Sequence, residues 1–155
     1  MGTASSDVSF RAFAPDDIEG CLAVFDSNVP EYFTPSERAE FAAFLTDLPG
    51  YYFVLVASIG EVVGCGGYAR SELPRTADLC WGMIRRDLHG RGLGRLLTHL
   101  RLEEVQNDPA VAAIRLHTSQ HTKGFYARLG FRVTGVTPDG YAPGLDRCDM
   151  LLDLA

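Results

Sequence analysis

The sequence predicts a mixed α+β fold, a mixed sheet of about seven strands flanked by helices. Three observations carry this. Segments with period-two alternation or short apolar runs occur along the whole chain. Segments with apolar residues three and four apart lie between them. A glycine-dense run, Leu88 to Gly94, joins a strand-like segment to the longest helical one. The resulting order is β-α-α-β-β-β-α-β-α-β-β, without an internal repeat, linker or low-complexity stretch, so residues 1–155 read as one domain.

Val8 to Phe13 alternates and reads as the first strand. Pro15-Asp16-Asp17 opens a helix whose apolar face carries Ile18, Cys21, Leu22 and Phe25. In Thr34-Pro35-Ser36-Glu37, Thr34 is the expected cap, proline sits in the first turn and Glu37 at the capping-box position. Phe41, Phe44, Leu45 and Leu48 continue that helix until Pro49-Gly50 stops it. Residues 52–58 and 61–68 read as strands around a tight turn at Gly60, and residues 76–84 as a further strand. Leu93, Leu96, Leu97, Leu100 and Val105 recur with helical period, ending at Asn107-Asp108-Pro109. Residues 114–118 form a strand, 122–129 a helix with Gly130 at its exit, and 131–136 and 148–154 the last strands. The proline- and glycine-containing stretch from Thr137 to Asp146 is expected to be an irregular loop.

Composition narrows the function. Apolar content of 46% is ordinary for a globular protein. No run reaches the length of a membrane span, and the first residues lack an apolar signal core, so a cytoplasmic protein is expected. Residues 1–7 are expected to be a flexible N-terminus. Met1-Gly2 with Ser6 fits the bare myristoylation pattern, for which an ordinary polar start is the simpler reading. The formal net charge of −6 argues against nucleic acid as a partner and favours cationic ones. Cys21, Cys65, Cys80 and Cys148 are widely spaced in apolar patterns and read as free buried thiols. No histidine spacing suggests a metal site, and none is expected.

The chemistry centres on Leu88-His89-Gly90-Arg91-Gly92-Leu93-Gly94. Glycines there let an anion approach the backbone, and the following helix offers unpaired N–H groups and its positive dipole end. This is a phosphate cradle. A P-loop is excluded, since no glycine is followed by Lys and then Ser or Thr. A dinucleotide fingerprint would need glycine where Arg95 stands. The run instead resembles the Gln/Arg-x-x-Gly-x-Gly/Ala motif of the GNAT superfamily of N-acyltransferases, with His89 where Gln or Arg is usual. Phe125-Tyr126-Ala127-Arg128-Leu129-Gly130-Phe131 is similar to the same family's Tyr-x-x-x-Gly-Phe segment, in the right order and at the right distance.

That resemblance implies a central, mostly antiparallel twisted sheet with helices on both faces, whose two middle strands splay apart. Those strands are residues 79–84 and 114–118. Acetyl-CoA is implied as co-substrate. Its pantetheine arm would lie along the first strand near Met83 and Ile84, and its pyrophosphate on His89, Gly90, Arg91, Gly92, Leu93, Gly94 and Arg95. Ser119, Thr122 and Phe125 are implied as further coenzyme contacts, Ser119 standing where many relatives carry Asn. Arg85 and Arg86 are further candidates for phosphate. Tyr126 stands in the slot of the general acid, and its phenol can protonate a departing thiolate. Asp78, His117 or a bare water chain remain alternatives for the base that neutralises the attacking amine. A strand N–H near Met83 would meet the oxyanion.

The acceptor is expected to be a primary amine of a small molecule or a protein. Two stretches are expected to select it: Asn28, Glu31, Tyr32 and Phe33 in one, Tyr141 and Asp146 in the other, with acids drawing a cation and aromatics walling it. The resemblance also implies that a homodimer is frequent. Two other classes stay open: a catalytically silent acyl-CoA-binding sensor, and a nucleotide-binding regulatory domain without a pantetheine cleft.

Overall fold

The computed structural model describes residues 7–154. The Met1-Gly2 pattern and residues 1–6 of the expected flexible N-terminus lie outside the described residues. The order is β1 (Val8–Ala12), α1 (Ile18–Ser27), α2 (Glu37–Thr46), β2 (Tyr51–Ala57), β3 (Val62–Arg70), β4 (Thr76–Ile84), α3 (Leu93–Gln106), β5 (Ala113–Thr118), α4 (Lys123–Arg128), β6 (Arg132–Ala142) and β7 (Leu145–Asp153). The seven strands form one sheet in the order β1-β2-β3-β4-β5-β7-β6. All neighbours are antiparallel except β4 and β5.

The two sheet faces are covered by different helices. On one, Cys21, Val24 and Phe25 of α1 and Phe41 and Leu45 of α2 pack on Tyr52, Val54, Cys65 and Met83. On the other, Leu93 and Leu97 of α3 pack on Leu55, Val63 and Ile84, and Leu102 and Val105 pack on Ala77, Leu79 and Ile114. Period-two alternation along β2 to β4 divides their side chains between these layers.

The helix α2 starts two residues later than its proline suggests. Glu37 still reaches back, its Oε1 accepting the Thr34 N–H at 2.8 Å. Thr34 Oγ1 donates to that carboxylate instead of capping a backbone group, so the turn forms but regular helix begins at Glu37.

The expected loop from Thr137 to Asp146 is corrected: it is hairpin. β6 continues to Ala142 and β7 begins at Leu145, turning at Gly144 with φ +80°. Pro138 and Asp139 are accommodated because the register shifts between Thr137 and Ala142. The Asp139 carboxylate accepts the Gly144 N–H at 2.7 Å, and Asp146 accepts the Asp139 N–H at 2.9 Å. These two aspartates replace the ladder bonds the shift removes.

Candidate active site

Pairing between β4 and β5 covers only Thr76, Ala77 and Asp78 against Ala113, Ile114 and Arg115. Beyond Asp78 the two parallel strands diverge, and a cleft of ≈ 1380 Å³ opens between them. Its walls come from β4, β5, the starts of α3 and α4, the segment after α1, and the β6–β7 hairpin.

The top of the cleft is the glycine run. Gly90 and Gly92 have φ of +79° and +83°, which favour glycine, and an added Cβ would meet nothing within 4 Å at either. The backbone there is thus bare toward solvent. Gly92 is the N-cap of the 14-residue α3, and its carbonyl takes the Leu96 N–H. The preceding N–H groups of Leu93, Gly94 and Arg95 have no intrahelical acceptor. A Cβ at Gly94 would stand 3.5 Å from Phe125, so α4 closes the far side of the cradle. His89 Nε2 bonds the Ile84 carbonyl at 2.8 Å, tying the loop back to the end of β4. Arg95 lines the cleft, and Arg91 is exposed beside it.

β4 carries a bulge where the cleft begins. Its register with β3 shifts between Cys65 and Gly67, and Trp81 takes φ +44°, which is strained for an aromatic residue. Packing secures it: the indole lies 5.0 Å from Phe41 and 6.0 Å from Phe33 between ring centroids. The Tyr52 hydroxyl also donates to the Trp81 carbonyl at 2.8 Å.

Tyr126 is half-buried on the opposite wall, edge-on to Phe125 and Phe131. Its hydroxyl makes no hydrogen bond to the described residues. Ser119 is buried, and its Oγ accepts the His121 N–H at 3.2 Å. The Thr122 hydroxyl faces that of Thr118. His117 projects from β5 with Nδ1 against the Tyr141 hydroxyl, joining a candidate base to a candidate acceptor wall. The cleft walls desolvate the imidazole and hold it below its usual 6.5, with the Arg147 charge adding to the effect. Burial pushes the Tyr141 phenol up, so it stays protonated.

Several candidates already have protein partners, although Asp78, Asn28 and Phe33 still line the cleft. Both Asp78 oxygens accept from Arg115, at 2.7 and 3.0 Å, so taking a proton there would disrupt a bidentate pair. Arg85 is paired with Glu61 and Asp87. Glu31 is paired with Arg86, whose guanidinium also lies 5.3 Å over the Tyr32 ring. The expected acceptor residue Asn28 lies just past α1 and lines the cleft. It is buried at the end of α1, with Nδ2 donating to the Val24 and Ile84 carbonyls at 3.0 Å. The Asp146 carboxylate accepts the Asp139 N–H at 2.9 Å, and the Asp146 N–H donates to Gln120 Oε1 at 2.8 Å. Phe33 packs on Phe25 and Trp81. Tyr32 remains at the cleft mouth, edge-on to His89 and His121 at 5.2 and 6.3 Å.

A splayed strand pair headed by a glycine cradle is the arrangement that the sequence resemblance implied. The family model described as an acetyltransferase (GNAT) domain matches residues 19–154. The chain belongs to the GNAT acetyltransferase family. Solved GNAT structures share its fold over nearly full length. A protein from Desulfovibrio desulfuricans described as a GNAT-family acetyltransferase superposes with a TM-score of 0.82 at 23% identity, covering 96% of this chain and 99% of that one. A GCN5-related N-acetyltransferase from Kribbella flavida gives 0.79 at 20%, with 97% and 99% covered. An aminoglycoside 6'-N-acetyltransferase complexed with coenzyme A gives 0.76 at 16%, with 95% and 97% covered. No curated protein matches the chain in sequence. Among the described residues no group of three metal-ligating side chains converges, and no helix is long and apolar enough to cross a membrane.

Two features of this GNAT site stand outside the sequence expectations. The Trp81 bulge has no sequence signature beyond the neighbouring Gly82. The other is Arg101 of α3, which is 1% exposed and lines the cleft. A signal existed: Leu93, Leu97, Arg101 and Val105 form one i, i+4 stripe, so the arginine stands in the middle of a buried face.

Proposed function

We propose that this GNAT domain transfers an acetyl group from acetyl-CoA directly to a primary amine. The observation that carries the reading is the open, Cβ-free cradle at Gly90 and Gly92 at the head of a cleft that β4 leaves unpaired. Backbone N–H groups of Leu93, Gly94 and Arg95 would hold the pyrophosphate, with the Arg95 guanidinium beside them. The unpaired β5-facing edge of β4 near Met83 needs hydrogen-bond partners, and the amides of a pantetheine arm supply them.

The acceptor must lose a proton before it attacks, since an alkyl ammonium with pKa near ~10 is mostly charged at neutral pH. His117 is the better placed base, being neutral and cleft-facing, whereas Asp78 is engaged by Arg115. Tyr126 then donates its phenolic proton to the departing sulfur. Glu40 of α2 and Glu72 of the β3–β4 connection line the cleft with Phe44 and Trp81, a lining suited to a cationic amine. This shifts acceptor selection from Glu31 and Asp146 to Glu40 and Glu72. A silent acyl-CoA sensor would have no use for a proton donor, so the Tyr126 hydroxyl at this wall favours the enzyme.

Thiol release from acetyl-CoA across a panel of polyamines, amino acids, aminoglycosides and peptide N-termini tests the proposal. Release with one amine class, weakened about tenfold or more in Glu72→Gln, is the expected result. Tight acetyl-CoA binding with no release on any amine would favour the sensor instead.

A further inference from the structure

The Arg101 guanidinium is a buried cation without an anion. The residue is 1% exposed, yet no carboxylate among the described residues pairs with it. Its Nε has no hydrogen-bond partner, and Nη1 has only a long bond of 3.4 Å to the Gly67 carbonyl. Arginine does not shed its charge inside a protein, and an uncompensated buried charge is costly. The sequence nonetheless makes room for it. A Cβ on Gly82 would fall 2.5 Å from Nη2, and one on Gly66 would fall 3.1 Å from Cζ. Two strand glycines therefore clear the space in which the guanidinium lies beneath the β4 bulge.

The surroundings supply no counter-charge. The ionisable groups that bear on the guanidinium are Tyr52 of β2 and Cys80 of β4, with Cys65 of β3 beside Tyr52. Burial pushes the Tyr52 phenol up and the Cys80 thiol to about 11, so both are neutral at physiological pH. The nearest cleft carboxylate on β4, Asp78, is committed to Arg115. Arg101 and Gly82 both line the cleft, so this charge faces the ligand space.

Position along α3 relates the charge to the donor. Arg101 lies nine residues beyond Gly92, about 13 Å along the helix, and helical side chains lean back toward the N-terminus. With phosphates at the start of α3 and the arm descending along β4, the guanidinium stands near the reactive end. We propose that Arg101 is a fixed positive charge for the acyl-transfer transition state, stabilising negative charge on the thioester oxygen and then on the coenzyme sulfur. The inference rests on the acetyl-CoA reading above. In the step, the amine nitrogen forms a bond to the carbonyl carbon as the C=O π pair moves to oxygen. That pair returns as the C–S bond breaks, its electrons leaving on sulfur. The nitrogen gives its proton to the base, and sulfur takes one from Tyr126. Arg101 exchanges no proton; it lowers the energy of both anionic stages.

The decisive experiment needs no turnover. A cation near sulfur favours thiolate, so coenzyme A should bind more tightly as pH rises, relative to desulfo-coenzyme A. Titration calorimetry of both ligands between pH 6.5 and 8.5 should show their affinity ratio rising about fivefold in the wild type, if the thiol is lowered by about one unit from roughly 8.5. Arg101→Met should flatten that ratio and Arg101→Lys should restore part of it. Acetyl-CoA binding by Arg101→Met within threefold of wild type would show that the cleft is intact. Its kcat should fall about 100-fold, with the KM for acetyl-CoA nearly unchanged. A flat ratio in the wild type overturns the proposal without any variant. A wild-type preference for succinyl-CoA over acetyl-CoA that Arg101→Met abolishes would assign the guanidinium to a substrate carboxylate and overturn it too. Failure of every coenzyme A ligand to bind the wild type would remove the acetyl-CoA reading itself.

Discussion

In the proposed reaction Tyr126 and His117 divide the proton traffic by their environments. Tyr126 stands on one wall with its hydroxyl unbonded among the described residues, while His117 is held neutral on β5 beside Tyr141. Tyr126→Phe removes one oxygen and leaves the ring packing on Phe125 and Phe131. It should lower kcat by about 10²-fold while acetyl-CoA affinity stays within twofold. An unchanged kcat on the true acceptor would remove the tyrosine from the mechanism. The histidine gives a pH signature. Its folded value lies below 6.5, so the acid limb of kcat/KM should fall below pH 6.5 rather than at it. His117→Gln should abolish that limb. The same shift bears on stability. The unfolded chain binds this proton more readily than the folded one, so His117 destabilises the fold as pH drops through 6.5 toward the folded value. A limb that persists in His117→Gln would point to a water chain with another terminus.

At the scale of elements, the cradle and the splay depend on different devices. The cradle needs positive φ at Gly90 and Gly92, and the splay needs β4 and β5 to part after Asp78. Gly92→Val would place a β-branched side chain at φ +83° with nothing nearby to clash. The expected cost is about 1–2 kcal/mol of stability, read by thermal denaturation, with acetyl-CoA affinity reduced at least tenfold. Wild-type affinity in that variant would mean that phosphate does not rest there. These elements were largely legible in the chain. Glycine and proline punctuate it at the turns, and the Leu93–Leu97–Val105 stripe marks α3. The β6–β7 hairpin was not legible, because Pro138 and Gly140 signal a loop, and the Asp139 and Asp146 side-chain bonds that bridge the register shift follow no local pattern. The side-chain partners of Glu31, Asn28 and Asp78 were equally hidden. Ion pairs such as Glu31 with Arg86 and Asp78 with Arg115 join residues 55 and 37 positions apart, which no local pattern encodes.

For the whole molecule, the sheet splits the work between its faces. The α1–α2 face holds the aromatic cluster around Trp81, and the α3–α4 face holds the cradle, Arg101 and Tyr126. The cleft between β4 and β5 is where the two meet. In the proposed reaction, donor and acceptor would approach from separate sides and react directly, without a covalent acyl-enzyme. The most direct test is calorimetric titration of the wild-type protein with acetyl-CoA, with adenosine 3',5'-bisphosphate as the ligand lacking the pantetheine arm. Saturable one-to-one binding of acetyl-CoA, at least tenfold tighter than the bisphosphate, is the predicted result. No binding, or equal affinity for both, would contradict a pantetheine-binding cleft and leave the glycine run as an ordinary turn or a nucleotide site.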